Sequence, residues 1–203
     1  MKTVALVTCS VRRPRLNPFI TTYVHQILTR NKPSNGTDVR LETLDLADQN
    51  LPLATDEPAI PAHLPAADPT PHYATESVRA WSAQVARYDA FIFVTPQYNW
   101  SIPASLKNAL DYLYYEWKGK PAGIVSYGGR GGGKAVDSLR TILTGLRMRP
   151  VVTAPGLLTE TTQAEQSVQE GRLGEGYPGA WSRAGVDDRI AQMWEELLSE
   201  LRA

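Results

Sequence analysis

Three short segments concentrate the residues able to do chemistry. Ser10-Val11-Arg12-Arg13-Pro14-Arg15-Leu16-Asn17 brings a hydroxyl, a carboxamide and three guanidinium groups to the point where a strand pattern gives way to a helix pattern. That chemistry suits a phosphate dianion, which takes charge-assisted bonds from Arg and backbone N–H bonds from a helix amino end. Thr95-Pro96-Gln97-Tyr98-Asn99-Trp100-Ser101-Ile102-Pro103 offers flat apolar faces at Tyr98 and Trp100, and donors and acceptors at Gln97, Asn99 and Ser101. It fits a planar heteroaromatic ring, stacked on its face and bonded along its polar edge. Ser126-Tyr127-Gly128-Gly129-Arg130-Gly131-Gly132-Gly133-Lys134-Ala135 is rich in glycine, which lets backbone lie close against a flat ligand. The first two segments also have plainer readings: a solvated basic loop, and a turn whose aromatics fold back into the core.

Other chemistries are disfavoured. Gly128 to Lys134 satisfies the G-x-x-x-x-G-K part of a nucleotide P-loop, but position 135 is Ala and lacks the magnesium-binding hydroxyl. No G-x-G-x-x-G follows the first strand pattern, which argues against an NAD-type dinucleotide domain. One cysteine and three scattered histidines (His25, His63, His72) make neither a disulfide nor a zinc set. Lys plus Arg and Asp plus Glu are 21 each, so no global attraction to nucleic acid or an anionic membrane is expected. No apolar run nears the ~18 residues of a membrane span, and the amino-terminal residues lack a signal-peptide pattern. The expectation is a soluble, cytoplasmic, metal-free protein.

The elements that position the three segments read as buried strands alternating with amphipathic helices. Thr3 to Cys9, Val39 to Leu46, Ala90 to Thr95, Pro121 to Tyr127 and Pro150 to Ala154 are the strand patterns. Helix patterns cover about Leu16 to Arg30, Tyr73 to Arg87, Ala104 to Trp117, the stretch from the glycine turn to Arg147, and Val186 to Leu201. Residues 51–71 hold six prolines and cannot be a regular element; they form a surface loop or a partner-binding excursion. Residues 159–185, with five glycines between Gly171 and Gly185, read as a loop. One domain spanning 1–203 follows, an α/β fold with a parallel sheet covered on both faces. In such sheets ligands bind beyond the carboxyl ends of the strands, where all three segments fall.

The run Pro96-Gln97-Tyr98-Asn99-Trp100-Ser101-Ile102-Pro103-Ala104-Ser105-Leu106-Lys107-Asn108-Ala109-Leu110-Asp111 resembles the hallmark segment of the NADPH-dependent FMN reductase family, which includes azo-, chromate- and quinone-reducing members. Ser10, Arg12 and Asn17 match that family's phosphate loop, and Gly128 to Gly133 resembles its third flavin loop. The resemblance extends from the first strand to about Val151. It implies a flavodoxin-like, doubly wound, five-stranded parallel sheet in order 2-1-3-4-5, with FMN bound non-covalently. The implied reaction passes hydride from NADPH or NADH to the flavin N5, then electrons to a small acceptor such as a quinone, free flavin, azo compound or chromate. No residue of the chain is then a catalytic acid, base or nucleophile, because the flavin carries the chemistry. Ser10, Arg12, Arg15, Leu16 and Asn17 would hold the phosphate. Pro96, Gln97, Tyr98, Asn99, Trp100 and Ser101 would border the isoalloxazine, and Ser126, Tyr127, Gly128 and Gly129 would lie near its pyrimidine edge.

The resemblance also implies a homodimer or homotetramer, with Tyr112, Tyr114, Tyr115 and Trp117 either at the subunit boundary or against their own sheet. The competing reading is a non-enzymatic FMN-binding electron carrier or redox sensor. Four positions depart from the family's commoner pattern. Cys9 replaces a Gly and Arg15 a Ser. Gln97 replaces a Glu, and Trp100 replaces a Gly near the flavin. Trp100 either narrows the acceptor pocket or plugs the core.

Overall fold

The computed structural model describes residues 1–31, 38–53 and 58–202. Strand β1 (Lys2–Thr8) leads into α1 (Asn17–Arg30), β2 (Val39–Asp45), α2 (Glu76–Ala86), β3 (Ala90–Pro96), α3 (Ala104–Asp111), β4 (Pro121–Gly128) and α4 (Gly133–Gly145). Two short strands, β5 (Arg149–Pro150) and β6 (Gly156–Leu158), precede α5 (Thr161–Gln169), α6 (Gly176–Arg183) and α7 (Val186–Glu200). All strands pair in parallel, in the order β2-β1-β3-β4-β5, and β6 also pairs with β4. This is the expected doubly wound order, with two short strands sharing the fifth position.

Strand alternation sends side chains to two cores. Ala5, Val7, Phe91, Phe93 and Ile124 pack under α2, α3 and α4, while Val4, Leu6, Ile92, Val94 and Val125 pack under α1 and α7. Thr75 caps α2 by accepting from the Val78 N–H, so that helix begins later than the Tyr73 expected for it. Among the described residues, no helix is long and apolar enough to cross a membrane.

Three expectations need correction. First, α3 stops at Asp111 and does not run on to Trp117. Indole N–H groups take the place of the next helical turn: Trp81 Nε1 donates to the Ala109 carbonyl at 2.9 Å and Trp117 Nε1 to the Leu110 carbonyl at 3.2 Å. Trp117 then packs 4.9 Å from Phe91 in the core, and Tyr112 is buried as well, so neither can be a boundary aromatic. Second, the strand expected over Pro150–Ala154 is interrupted there. The Glu196 carboxylate takes both the Thr153 N–H (2.8 Å) and hydroxyl (2.6 Å), which draws this stretch towards α7 instead of β4. Third, residues 159–185 contain α5 and α6. Ala164 with Val168, and buried Tyr177 with Trp181, are spaced i, i+4 and pack on the α1/α7 side; Gly171 and Gly174 lie in the turn between the two helices, while Gly176 and Gly179 belong to α6.

The described part of the proline-rich stretch, 51–53 and 58–71, contains two short 3₁₀ turns, and residues 54–57 lie outside the described set. Side chains of the α3 region hold it down. Asn108 Nδ2 and the Tyr112 hydroxyl both donate to the Pro52 carbonyl, and the Tyr115 hydroxyl donates to that of Ala62.

Candidate active site

The three chemistry-bearing segments converge at the carboxyl ends of β1, β3 and β4. They line a cavity of about 550 Å³ bounded by Arg12 and Leu16, by Pro96–Tyr98, by Tyr127–Gly129, and by α5.

The loop after β1 is held by Asn17. Its buried carboxamide accepts from the Ser10 N–H at 2.7 Å and donates to the Val94 carbonyl at 3.1 Å, tying this loop to β3. Each end of the Asn17 side chain makes one bond to backbone, so it holds the loop in shape, while Nδ2 keeps a second N–H. Ser10 Oγ lies 2.8 Å from the Tyr98 hydroxyl and accepts from the Arg12 N–H. Arg15 is likewise engaged: its guanidinium grips Asp45 with two 2.7 Å bonds and also donates to the Ser10 carbonyl. Arg12 has no ion pair among the described residues and is stacked 4.4 Å above the Tyr98 ring. The N–H groups of Arg13, Arg15 and Leu16 have no acceptor among the described residues, and no side chain caps α1. A loop with orphan donors at an uncapped helix amino end is an anion cradle.

The loop after β3 contains a tight turn in which Tyr98 and Ser101 exchange 2.9 Å backbone bonds. Its central residues, Asn99 (φ 46°) and Trp100 (φ 66°), are both left-handed, as in a type I′ turn. A glycine would sit at position 100 without strain, whereas the tryptophan there costs roughly 1–2 kcal/mol. The indole is 66% exposed, so the reading of Trp100 as a core plug is wrong. Gln97 turns back, and its Oε1 accepts from the Lys134 N–H (2.9 Å) and the Ala135 N–H (3.3 Å) at the start of α4.

The glycine turn after β4 packs against its own chain as well as the cavity. Gly132 has φ +81°, and a Cβ there would stand 2.8 Å from Ser126 Cβ. Ser126 Oγ donates to the Gly131 carbonyl at 2.7 Å, so buried Ser126 braces the turn from behind. Gly128 and Gly129 are the glycines that reach the cavity. Burial pushes the Tyr127 hydroxyl well above its ordinary pKa, as do nearby Tyr98 and Cys9, so it stays a neutral donor. Burial and the charge of Asp45 raise the Cys9 thiol likewise, leaving it unreactive.

Of the residues expected at the site, Arg12, Arg15, Leu16, Pro96, Gln97, Tyr98, Tyr127, Gly128 and Gly129 line the cavity. Ser10, Asn17 and Ser126 stand behind it, and Asn99, Trp100 and Ser101 lie outside it. The wall that sequence reasoning missed is α5, with Thr161, Ala164, Glu165 and Val168 preceded by Thr159 and Glu160. The Ala164/Val168 spacing was the available signal.

The model of the family described as NADPH-dependent FMN reductase matches residues 1–161. The chain belongs to that family. It is 38% identical to an NAD(P)H-dependent FMN reductase of a Nectria species, over 100% of this chain and 98% of that protein. It is 42% identical to an NAD(P)H-dependent FMN reductase of Saccharomyces cerevisiae, over 73% of this chain and 76% of that one. Shorter matches, over about a third of the chain, are to quinone reductases. Among solved structures, an oxidoreductase of Corynebacterium diphtheriae superposes with a TM-score of 0.68 at 20% identity, over 100% of this chain and 97% of that one, which speaks to the fold. As an FMN reductase family member the chain is an oxidoreductase that uses FMN as cofactor and NAD(P)H as substrate.

Proposed function

We propose that FMN occupies the 550 Å³ cavity and that NAD(P)H and a flat acceptor of the quinone class use its exposed ring face in turn. The observation that carries this placement is the pairing of an anion cradle at the start of α1 with a flat, backbone-lined slot. Arg12 and the free N–H groups of Arg13, Arg15 and Leu16 would take the phosphate. Asn17 and the Arg15–Asp45 pair hold that loop in shape. Pro96 to Tyr98 and Tyr127 to Gly129 would border the ring, and α5 closes the far wall against water. When bound, FMN supplies hydride acceptance from one substrate and electron delivery to the next. The chain supplies orientation and exclusion of solvent. The short matches to quinone reductases support the acceptor class.

The same reading includes a cytoplasmic location and a homodimer or homotetramer, with partly exposed Tyr114 and Tyr115 as its boundary aromatics. Sedimentation at micromolar concentration tests the assembly. The visible spectrum of the purified protein tests the site: a flavin band should bleach on anaerobic NADPH or NADH addition and return with a benzoquinone. Protein that neither carries nor binds FMN would overturn the placement.

A further inference from the structure

Beside the flavin cavity, and sharing Gln97 and Gly129 with it, lies a second cleft of about 720 Å³ lined by Trp100, Arg130, Gly133, Lys134 and Asp137. Its chemistry differs from its neighbour's. Trp100 presents an exposed indole from a left-handed backbone position, so packing in the core does not offset its strain. The Lys134 ammonium stands 5.9 Å from that ring and 3.3 Å from the Asp137 carboxylate. The Arg130 guanidinium has no hydrogen bond or ion pair among the described residues. Two cations and one carboxylate leave the cleft net positive. The opposite flank of the flavin cavity carries the carboxylates of Glu160 and Glu165. A dinucleotide whose nicotinamide lies over the flavin must send its anionic tail one way or the other, and the charge of the two flanks favours the cleft.

We propose that the Trp100–Arg130–Lys134 cleft binds the adenosine 2′-phosphate end of NADPH, with the adenine on the indole and the 2′-phosphate between the two cations. This rests on the placement of FMN in the neighbouring cavity. Stacking of a purine on an exposed indole uses the face that Trp100 leaves open. A phosphate monoester dianion gains two charge-assisted contacts that NADH, with a 2′-hydroxyl, does not. The cleft therefore sets the preference between the two nicotinamide donors.

Calorimetry with adenosine 2′,5′-bisphosphate on the purified, FMN-loaded protein reads the cleft without turnover. Binding should be competed by NADPH and should weaken tenfold or more in the Arg130→Ala/Lys134→Ala double variant, with Arg130→Lys retaining most of it. Trp100→Ala should weaken it severalfold, and Trp100→Phe less. In steady state, the double variant should raise the KM for NADPH at least tenfold relative to that for NADH. Unchanged bisphosphate affinity in the double variant, or equal shifts in both KM values, would overturn the proposal. The flavin spectrum of each variant separates these outcomes from loss of FMN, since a missing flavin band indicts the cavity and not the cleft. Melting temperatures within a few degrees of the parent show that the variants fold.

Discussion

The side chain of Gln97 caps helix α4 from another loop: its Oε1 lies 2.9 Å from the Lys134 backbone nitrogen and 3.3 Å from that of Ala135. The residue preceding α4 is Gly132, which has no side chain to cap with, so a residue 35 positions earlier in the chain performs that role. The contact couples two of the loops that border the cavity.

Gln97→Ala should therefore cost about 1 kcal/mol, the usual worth of a helix cap, and lower the melting temperature by roughly 2–4 °C. It should also weaken FMN binding, because the two loops lose their tie. Gln97→Glu should melt no lower than the parent, since a carboxylate at a helix amino end is favoured by the dipole. Thermal denaturation of both variants is the check, and an alanine variant as stable as the parent would show that the cap is idle.

Arg12 and Arg15 should separate binding from stability. Arg12 makes no ion pair among the described residues, so Arg12→Ala should leave the melting temperature nearly unchanged while weakening FMN binding by ~1.5–3 kcal/mol, roughly tenfold to more than a hundredfold. Arg15→Ala strands the partly buried Asp45 carboxylate and should destabilise the fold by ~1.5–3 kcal/mol. FMN titration and urea denaturation of the two variants give the comparison, and it fails if Arg12→Ala destabilises the fold as much as Arg15→Ala does.

Trp100→Gly should melt at or above the parent temperature, by up to roughly 1–2 kcal/mol of relieved backbone strain, because the indole buries little. A large drop in stability would mean that the side chain packs more than its exposure indicates.

Two carboxylates contribute to the acid limb of stability. Burial alone would raise the pKa of Asp89, but the Thr3 N–H and Lys2 outweigh it and hold the group below its usual range. At Glu196 burial is likewise outweighed, there by the Thr153 hydroxyl and N–H and by Gln192. Carboxylates depressed in the folded state bind fewer protons than in the unfolded chain. Their stabilisation is full above about pH 5 and is lost as pH falls through the ordinary carboxylate range and below. The urea midpoint should fall between about pH 5 and pH 3, and Asp89→Asn should flatten that slope. A midpoint insensitive to pH in this window would contradict the assignment.

The sheet was legible because its central strands are near-continuous apolar runs, and Ala90 to Thr95 is buried on both faces. The three ligand loops were legible through residue type at strand ends. Asn17 shows what such reading misses. Its type suggests a phosphate ligand, and only the fold reveals that it also ties Ser10 to Val94. The end of α3 was hidden for a similar reason, since Leu113 and Trp117 continue a helical pattern that distant indole contacts cut short. Helices α5 and α6 were hidden by the glycines between them and by Gly176 and Gly179 within α6, although Ala164/Val168 and Tyr177/Trp181 carry the helical spacing.

The interruption of the outermost strand bears on how the molecule keeps to itself. A sheet margin with a long row of unpaired amides invites another chain to add a strand and start an aggregate. Here that margin consists of two residues of β5 and three of β6, separated by the stretch that α7 draws aside, with Val152 at 85% exposure in the gap. An incoming strand would find only these two short footholds, out of line with each other. The Glu196–Thr153 clasp, with the bond from the Trp181 indole of α6 to the Leu158 carbonyl of β6, thus limits lateral growth of the sheet on that side.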